Sequence, residues 1–288
     1  MKGTLGGGAP KLLKSAPEFF DAQGLVVSQH EATSKDGTMI PYFEVRLGDL
    51  VLDGSAPTLM YAYGGFEIAL TPSYNGTVGA AWLEPGRVYV LANIRGGGEF
   101  GPKWHQAALK ENRLRCYEDL AAVARDLFAR KVTSPERFAV IGCSNGGLMV
   151  GNMITLYPEL FRAAVCQVPL LDMRRYHELL AGASWMGEYG DPDDPAQWAF
   201  LRRFSPYHNV EAGTDTPRTL FMTSTKDDRV HPGHARKMVA RMEEQGHDIL
   251  YYENIEGGHG GAADNGQRAF MSAMAYRFLA RELEGPRP

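Results

Sequence analysis

The chain has 288 residues, of which 44% are hydrophobic and 22% charged, and its formal net charge is -4. This composition is ordinary for a globular protein and excludes a disordered or fibrous chain. The lack of a basic excess argues against a nucleic-acid partner, and no apolar stretch is long enough to span a bilayer, so we predict no membrane partner.

Eight runs of apolar, β-branched or aromatic residues predict strands. They cover residues 25–31, 39–47, 58–63, 87–94, 137–141, 163–168, 219–224 and 249–253. Residues 1–20, which are rich in Gly, Lys and Pro, are predicted to form a loose leader, and residues 21–288 a single domain.

Stretches with helical periodicity separate the later strands. Apolar residues recur at three and four positions within residues 114–128, a second such stretch covers residues 148–156, and a third helix is expected to begin at Pro232. Alternating strands and helices predict an α/β fold whose eight-stranded, mostly parallel sheet has helices on both faces. The turn signal Asp36-Gly37 predicts that the first two strands pair antiparallel.

Residues 142–147, Gly-Cys-Ser-Asn-Gly-Gly, lie between the fifth predicted strand and a helix. A serine on such a strand-to-helix turn adopts a positive φ and holds its hydroxyl clear of the sheet edge. Gly142 and Gly146 stand two residues before and after Ser144, where side chains would collide across the turn. The pattern predicts a nucleophile elbow at Ser144, the alternative being a structural serine in a tight turn.

An elbow serine needs a general base and a carboxylate that orients that base. The adjacent acids Asp227 and Asp228 follow the seventh strand, and His259 lies in a glycine-flanked loop after the eighth. The chain order Ser, Asp, His is that of the α/β-hydrolase fold. The backbone N–H of Asn145 is a candidate oxyanion donor, and the loop of residues 61–66 is expected to supply a second.

Six segments in chain order resemble the prolyl oligopeptidase family. They are residues 63–66, 92–101, 142–147, 205–210, 227–230 and 258–260. The resemblance implies an α/β-hydrolase catalytic domain. It also implies Ser144 as nucleophile, Asp227 as the orienting carboxylate and His259 as base, with Asp228 interpreted as a surface or helix-capping residue.

The same resemblance implies a substrate pocket. The Tyr63 hydroxyl would be an oxyanion donor, and Arg229 would bind a substrate carbonyl. A proline-sized pocket would be lined by Phe66, Trp185, Tyr189 and Val230. Trp185 and Tyr189 are four residues apart and share a face if their segment is helical, and a flat aromatic ring beneath a pyrrolidine ring accounts for proline selectivity.

Members of the family carry a seven-bladed β-propeller before the hydrolase domain, whereas here only the predicted leader precedes it. We therefore expect an open site with Phe66 and Trp185 exposed at its mouth. Small esters or short prolyl peptides are the expected substrates, and a homodimer is expected to cover the apolar surface. The alternative is a non-catalytic, self-associating fragment of a two-domain peptidase.

Three other patterns receive a structural interpretation. Residues 96–101 match the dinucleotide pattern G-x-G-x-x-G, but the acids at the expected distance lie in a predicted helix, so no cofactor is predicted. His231 and His234 are expected to be surface residues and not metal ligands, because no third ligand is near them in sequence. Three cysteines without metal-type spacing favour a reducing, cytoplasmic location or simply buried free thiols, with Cys143 as a packing residue.

Overall fold

A computed structural model describes residues 6–9, 11–15 and 17–285. Eight strands form one sheet in the spatial order β1-β2-β4-β3-β5-β6-β7-β8. The strands are β1 (Leu25–Thr33), β2 (Met39–Leu47), β3 (Thr58–Tyr61), β4 (Val88–Ala92), β5 (Phe138–Cys143), β6 (Ala163–Gln167), β7 (Arg218–Ser224) and β8 (Ile249–Asn254).

The sheet is parallel from β4 to β8, and β2 pairs antiparallel with both β1 and β4. This confirms the predicted mostly parallel sheet with an antiparallel N-terminal end. The register aligns Cys143 with Gln167, and Ser224 with Asn254. The carboxyl ends of the central strands therefore lie along one edge.

Two of the predicted strands end two residues early in the structure. β3 ends at Tyr61, two residues early, because the chain turns at Gly64, whose φ is 61°. β4 also ends two residues early, at Ala92. Beyond it the backbone N–H of Arg95 donates to the buried Asp119 carboxylate at 3.0 Å, so a side chain replaces a neighbouring strand as acceptor.

Helices cover both faces of the sheet, as predicted. The helices are α1 (Gly76–Val78), α2 (Pro102–Gln106), α3 (Leu114–Ala129), α4 (Asn145–Leu156), α5 (Met186–Tyr189), α6 (Pro195–Leu201), α7 (Pro206–Asn209), α8 (Gly233–Glu244) and α9 (Asn265–Glu284). One face packs against α3, α4 and α8, through buried residues such as Leu120, Leu148 and Met238. The other face packs against α9 and the segment around Trp82.

The N-terminal segment contacts the domain at its end. Of the predicted leader, residues 1–5, 10 and 16 lie outside the described part of the chain. The ring of Phe20 stacks on Tyr74 with 5.2 Å between the centroids. A Cβ at Gly79 would collide with the Phe20 ring, so this glycine makes room for it. Over the described ranges, no helix combines the length and apolar character needed to cross a membrane.

His234 is buried, so the expectation that it is a surface residue is wrong. It lies in α8, and its Nδ1 accepts the backbone N–H of Asp172 at 3.1 Å and that of Leu171 at 3.4 Å. The imidazole thus satisfies two donors in the segment after β6. Burial lowers its pKa from 6.5 to about 4, which keeps it neutral and able to accept.

Because His234 is buried, we predict that the free energy of unfolding decreases in acid. The folded pKa lies below the unfolded one, so the contribution to the free energy of unfolding is complete above pH 6.5 and is lost as the pH falls towards 4. At 1.36 kcal/mol per pKa unit, the loss between pH 7.5 and pH 5 is about 2 kcal/mol. Urea unfolding at both pH values should show a smaller difference for His234→Gln than for the parent protein. An equal difference in both proteins would contradict this role for His234.

Candidate active site

Four of the predicted site residues follow the carboxyl ends of parallel strands. Tyr63 comes after β3, Ser144 after β5, Asp227 after β7 and His259 after β8. Loops at this edge of a parallel sheet meet above the strand ends. The structure brings Tyr63, Ser144 and His259 together on the wall of one cavity.

Ser144 occupies a strained turn, as its sequence context predicts. Its φ is 58°, and it caps α4, which begins at Asn145. A Cβ at Gly142 would lie 2.7 Å from the carbonyl carbon of Gly146, which explains the first glycine. A Cβ at Gly147 would lie 2.7 Å from the Cα of Pro169, so this third glycine, which had no assigned role, lets the helix approach the chain after β6.

The structure pairs His259 with the first of the two adjacent acids. His259 Nδ1 lies 2.9 Å from Oδ2 of Asp227, which is 4% exposed. The Asp227 carboxylate also accepts the backbone N–H groups of Arg229 and Val230, each at 2.9 Å. Asp228 is exposed. The carboxylate that can fix the imidazole tautomer is therefore Asp227.

Ser144 and His259 line a common cavity of about 560 Å³. Within the described residues, no hydrogen bond of up to 3.5 Å joins the serine hydroxyl to this imidazole. Hydrogen bonds between such groups are often long before substrate binds and shorten in the complex. The Nε2 atom faces away from the carboxylate partner of Nδ1 and is the atom available to the serine.

Tyr63 and Asn145 are the two predicted oxyanion donors, and both line a cavity wall together with Ser144. Burial raises the pKa of the Tyr63 phenol, so the hydroxyl keeps its proton and can donate. Asn145 is the first residue of α4, and a backbone N–H at that position has no acceptor inside the helix. Both donors are thus available to an anion formed beside Ser144.

A second cavity, of about 330 Å³, also borders Ser144. Its lining includes Tyr63, Phe66, Ser144, Asn145, Trp185, Tyr189, Arg229 and Val230. All the predicted pocket residues therefore meet in one place. We call this the aromatic pocket.

The residues that line the aromatic pocket are held by short helices and by contacts with one another. Trp185 ends a short 3-10 helix and Tyr189 ends α5, and the rings of Phe66 and Tyr189 meet edge to face at 5.6 Å. Phe66 and Trp185 are half-buried against the core, so the expectation that they are exposed at the mouth is wrong. Ile68, which also lines the pocket, is an exposed apolar residue with 45% relative exposure. The homodimer stays a prediction.

A buried ionic network supports the pocket, and sequence reasoning missed it. Arg113 is fully buried and pairs with the Glu188 carboxylate at 3.0 Å. The same guanidinium donates to the side-chain oxygen of Asn145, which also accepts the Tyr189 hydroxyl at 2.8 Å. Glu188 in turn accepts the backbone N–H of Phe66 at 3.0 Å. The ion pair of Arg113 and Glu188 thus holds Phe66, Asn145 and Tyr189 in position through hydrogen bonds.

Other polar features have local explanations. His177, Asp191 and Asp193 hold three possible ligand atoms within 4.8 Å of one another, but His177 Nε2 already pairs with Asp193 at 2.9 Å. This contact needs no cation, and we assign the cluster no function. Burial raises the pKa of the Cys143 thiol, which keeps it protonated and unreactive.

The glycine-rich segment after β4 has a packing role. A Cβ at Gly96 would lie 2.8 Å from the carbonyl carbon of Gly64, and a Cβ at Gly98 would meet the backbone of Glu67. The segment therefore lies directly against the loop that carries Tyr63 and Phe66. Close packing of two backbones explains these glycines without a bound dinucleotide.

Comparisons with known proteins identify the family of the chain. A sequence model described as the prolyl oligopeptidase family matches residues 74–286. An uncharacterized peptidase of Sinorhizobium fredii is 55% identical over 276 residues, which are 96% of this chain and 38% of that protein. A prolyl endopeptidase of Elizabethkingia miricola is 36% identical over 286 residues, which are 98% of this chain and 40% of that protein.

A solved structure of a related enzyme is also similar to this chain. The structure of a post-proline cleaving enzyme from Rickettsia typhi matches with a TM-score of 0.91 and 40% identity, over 96% of this chain and 40% of that chain. The match confirms the predicted α/β-hydrolase fold. The chain spans 38% to 40% of the length of these relatives.

Proposed function

The chain belongs to the prolyl oligopeptidase family of serine peptidases, and from this premise we propose that it hydrolyses prolyl peptide bonds through an acyl-enzyme on Ser144. The observation that carries the proposal is the pairing of His259 with the buried Asp227, 2.9 Å apart, beside the cavity that also contains Ser144. A nucleophile, a base and an orienting carboxylate are what acyl transfer requires.

The mechanism follows from these positions. The Ser144 oxygen attacks the substrate carbonyl carbon while His259 takes the hydroxyl proton, and the buried Asp227 stabilises the imidazolium. The oxyanion accepts hydrogen bonds from the Tyr63 hydroxyl and the Asn145 N–H. His259 then gives the proton to the leaving nitrogen as the C–N bond breaks. Water attacks the ester by the reverse sequence and releases the acid.

The aromatic pocket supports a preference for proline in the acyl part. Its volume of about 330 Å³ and its aromatic walls suit a small, flat, apolar ring. Trp185 supplies a face for the pyrrolidine, and the edge-to-face pair of Phe66 and Tyr189 forms another part of the wall. Arg229, whose side chain is exposed at the rim, is placed to bind a carbonyl of the residue before proline.

Short-chain esters are included in the proposal. Ester cleavage needs less protonation of the leaving group than amide cleavage, so it depends less on the approach of His259 to the substrate. A paired assay with p-nitrophenyl butyrate and a chromogenic prolyl peptide tests both activities. We expect both substrates to be cleaved, with the ester cleaved faster. Failure to cleave either one, or equal cleavage of a peptide with glycine in place of proline, would contradict the proposal.

Loss of the Tyr63 hydroxyl should lower the turnover number and spare substrate binding. Tyr63→Phe keeps the ring in the pocket and removes one oxyanion donor, so kcat for the prolyl peptide should fall about 100-fold with KM nearly constant. Steady-state kinetics on both proteins measures this split. A rise in KM with an unchanged kcat would instead place the hydroxyl in substrate binding.

A further inference from the structure

Two cavities border Ser144, and their linings differ. Both are lined by Tyr63, Ser144 and Arg229. Only the aromatic pocket contains Trp185, and only the larger cavity, of about 560 Å³, contains His259. The nucleophile therefore stands at the boundary between an aromatic side and a histidine side.

The chemistry of the reaction assigns the histidine side to the leaving group. The imidazolium must give its proton to the nitrogen that departs, so this nitrogen lies within hydrogen-bond reach of His259. The acyl part then lies away from His259, in the aromatic pocket. This assignment rests on the proposed function. We call the larger cavity the leaving-group cavity.

The lining of the leaving-group cavity is apolar at its base and cationic at its rim. Met222, Met271 and Val168 supply apolar surface, and Met222 and Met271 are buried. Arg268, near the start of α9, lines the cavity with an exposed side chain. Among the described lining residues there is no carboxylate, and two of the groups are guanidinium groups.

The charge of Arg268 is not used inside the chain. Over the described residues, its guanidinium makes no ion pair and no side-chain hydrogen bond. Arg236, by contrast, is also exposed and pairs with Glu253, with Nε and Oε2 3.0 Å apart. A free guanidinium at the rim of a cavity without carboxylates favours an anionic ligand.

We propose that the leaving-group cavity binds a short leaving peptide that ends in a free carboxylate, with Arg268 as the residue that recognises the carboxylate. The first side chain of the leaving peptide lies against the methionines, and a cavity of this volume holds one or two residues. The carboxylate takes no part in the bond changes. His259 protonates the amine as the C–N bond breaks, and the peptide departs with its carboxylate unchanged. Arg268 is thus a specificity-determining residue and not a catalytic one.

The test compares two substrates that differ in one group. Succinyl-Gly-Pro-Met with a free C-terminus and the same peptide with a C-terminal amide are cleaved to methionine or its amide, which chromatography measures. We expect kcat/KM for the free acid to exceed that for the amide about fivefold, the contribution of an ion pair at an exposed arginine. This ratio should fall towards one in 0.5 M salt because the pair is screened.

Variants test whether Arg268 causes the preference for the free acid. Arg268→Ala should bring the ratio of free acid to amide close to one, and Arg268→Lys should keep part of it. The matched control is Arg277→Ala, which removes an exposed arginine of the same helix outside the cavity lining and should leave the ratio unchanged. The ratio within one protein does not depend on the fraction of folded enzyme.

Three other outcomes would each contradict a different claim. A ratio near one in the parent protein would overturn the proposal and leave the proposed function intact. A high ratio that survives Arg268→Ala would overturn the assignment of Arg268. If the parent protein cleaves neither substrate nor the chromogenic prolyl peptide, the proposed function itself fails, and the inference fails with it.

Discussion

Replacement of Ser144 by alanine is expected to lower kcat for the prolyl peptide by about 10⁴-fold or more, because every later step depends on the serine ester. The free energy of unfolding should change little. Alanine is as strained as serine at a φ of 58°, and the substitution removes only the hydroxyl of a partly buried residue. Steady-state kinetics and urea unfolding measure the two quantities on the same preparations.

A serine outside the site provides the control. Ser55 lies in an exposed loop, and Ser55→Ala should keep the activity of the parent protein. Labelling by a fluorophosphonate probe should be lost in Ser144→Ala and retained in Ser55→Ala. Labelling that survives in Ser144→Ala would place the nucleophile elsewhere.

The second large loss of kcat is expected on replacement of Asp227, the acid beside His259. Asp227→Asn should lower kcat about 10⁴-fold, since the amide can donate to Nδ1 and so stabilise the histidine tautomer that cannot accept the serine proton. The structure offers a matched control one residue away. Asp228 is exposed, so Asp228→Asn should change kcat less than about threefold.

Two measurements separate an effect on the tautomer from loss of structure. Asp227 also accepts two backbone N–H groups, so the urea midpoints of both variants must be compared with that of the parent protein. Similar losses of kcat in Asp227→Asn and Asp228→Asn would show that the wrong carboxylate has been chosen. A large loss confined to Asp228→Asn would exchange the two roles.

The fold could be predicted from local sequence because its signals are local. Each strand is a short apolar run, and the antiparallel end needs only the turn at Asp36 and Gly37. Strand ends were less accurate. β4 stops at Ala92 because Arg95 bonds to Asp119, 24 residues further along the chain, and no local pattern reports such a contact.

The same distinction separates the predicted site residues from the missed ones. Ser144 and His259 stand in glycine-rich turns, which are visible in the sequence. Arg113 and Glu188 are 75 residues apart, and their pairing became visible only in three dimensions. One signal was available. Arg113 stands directly before α3, four residues before the buried Tyr117, and a charged residue among buried apolar positions requires a buried partner.

Mass analysis of a proline phosphonate adduct tests the central claim most directly. An N-acylated proline diphenyl phosphonate reacts with a serine nucleophile and stays attached to it. We predict one adduct per chain, on the peptide that contains Ser144, formed at least about tenfold faster than with the matched glycine phosphonate, because only proline fills the aromatic pocket. An adduct on another residue, or equal rates with proline and glycine, would contradict the account.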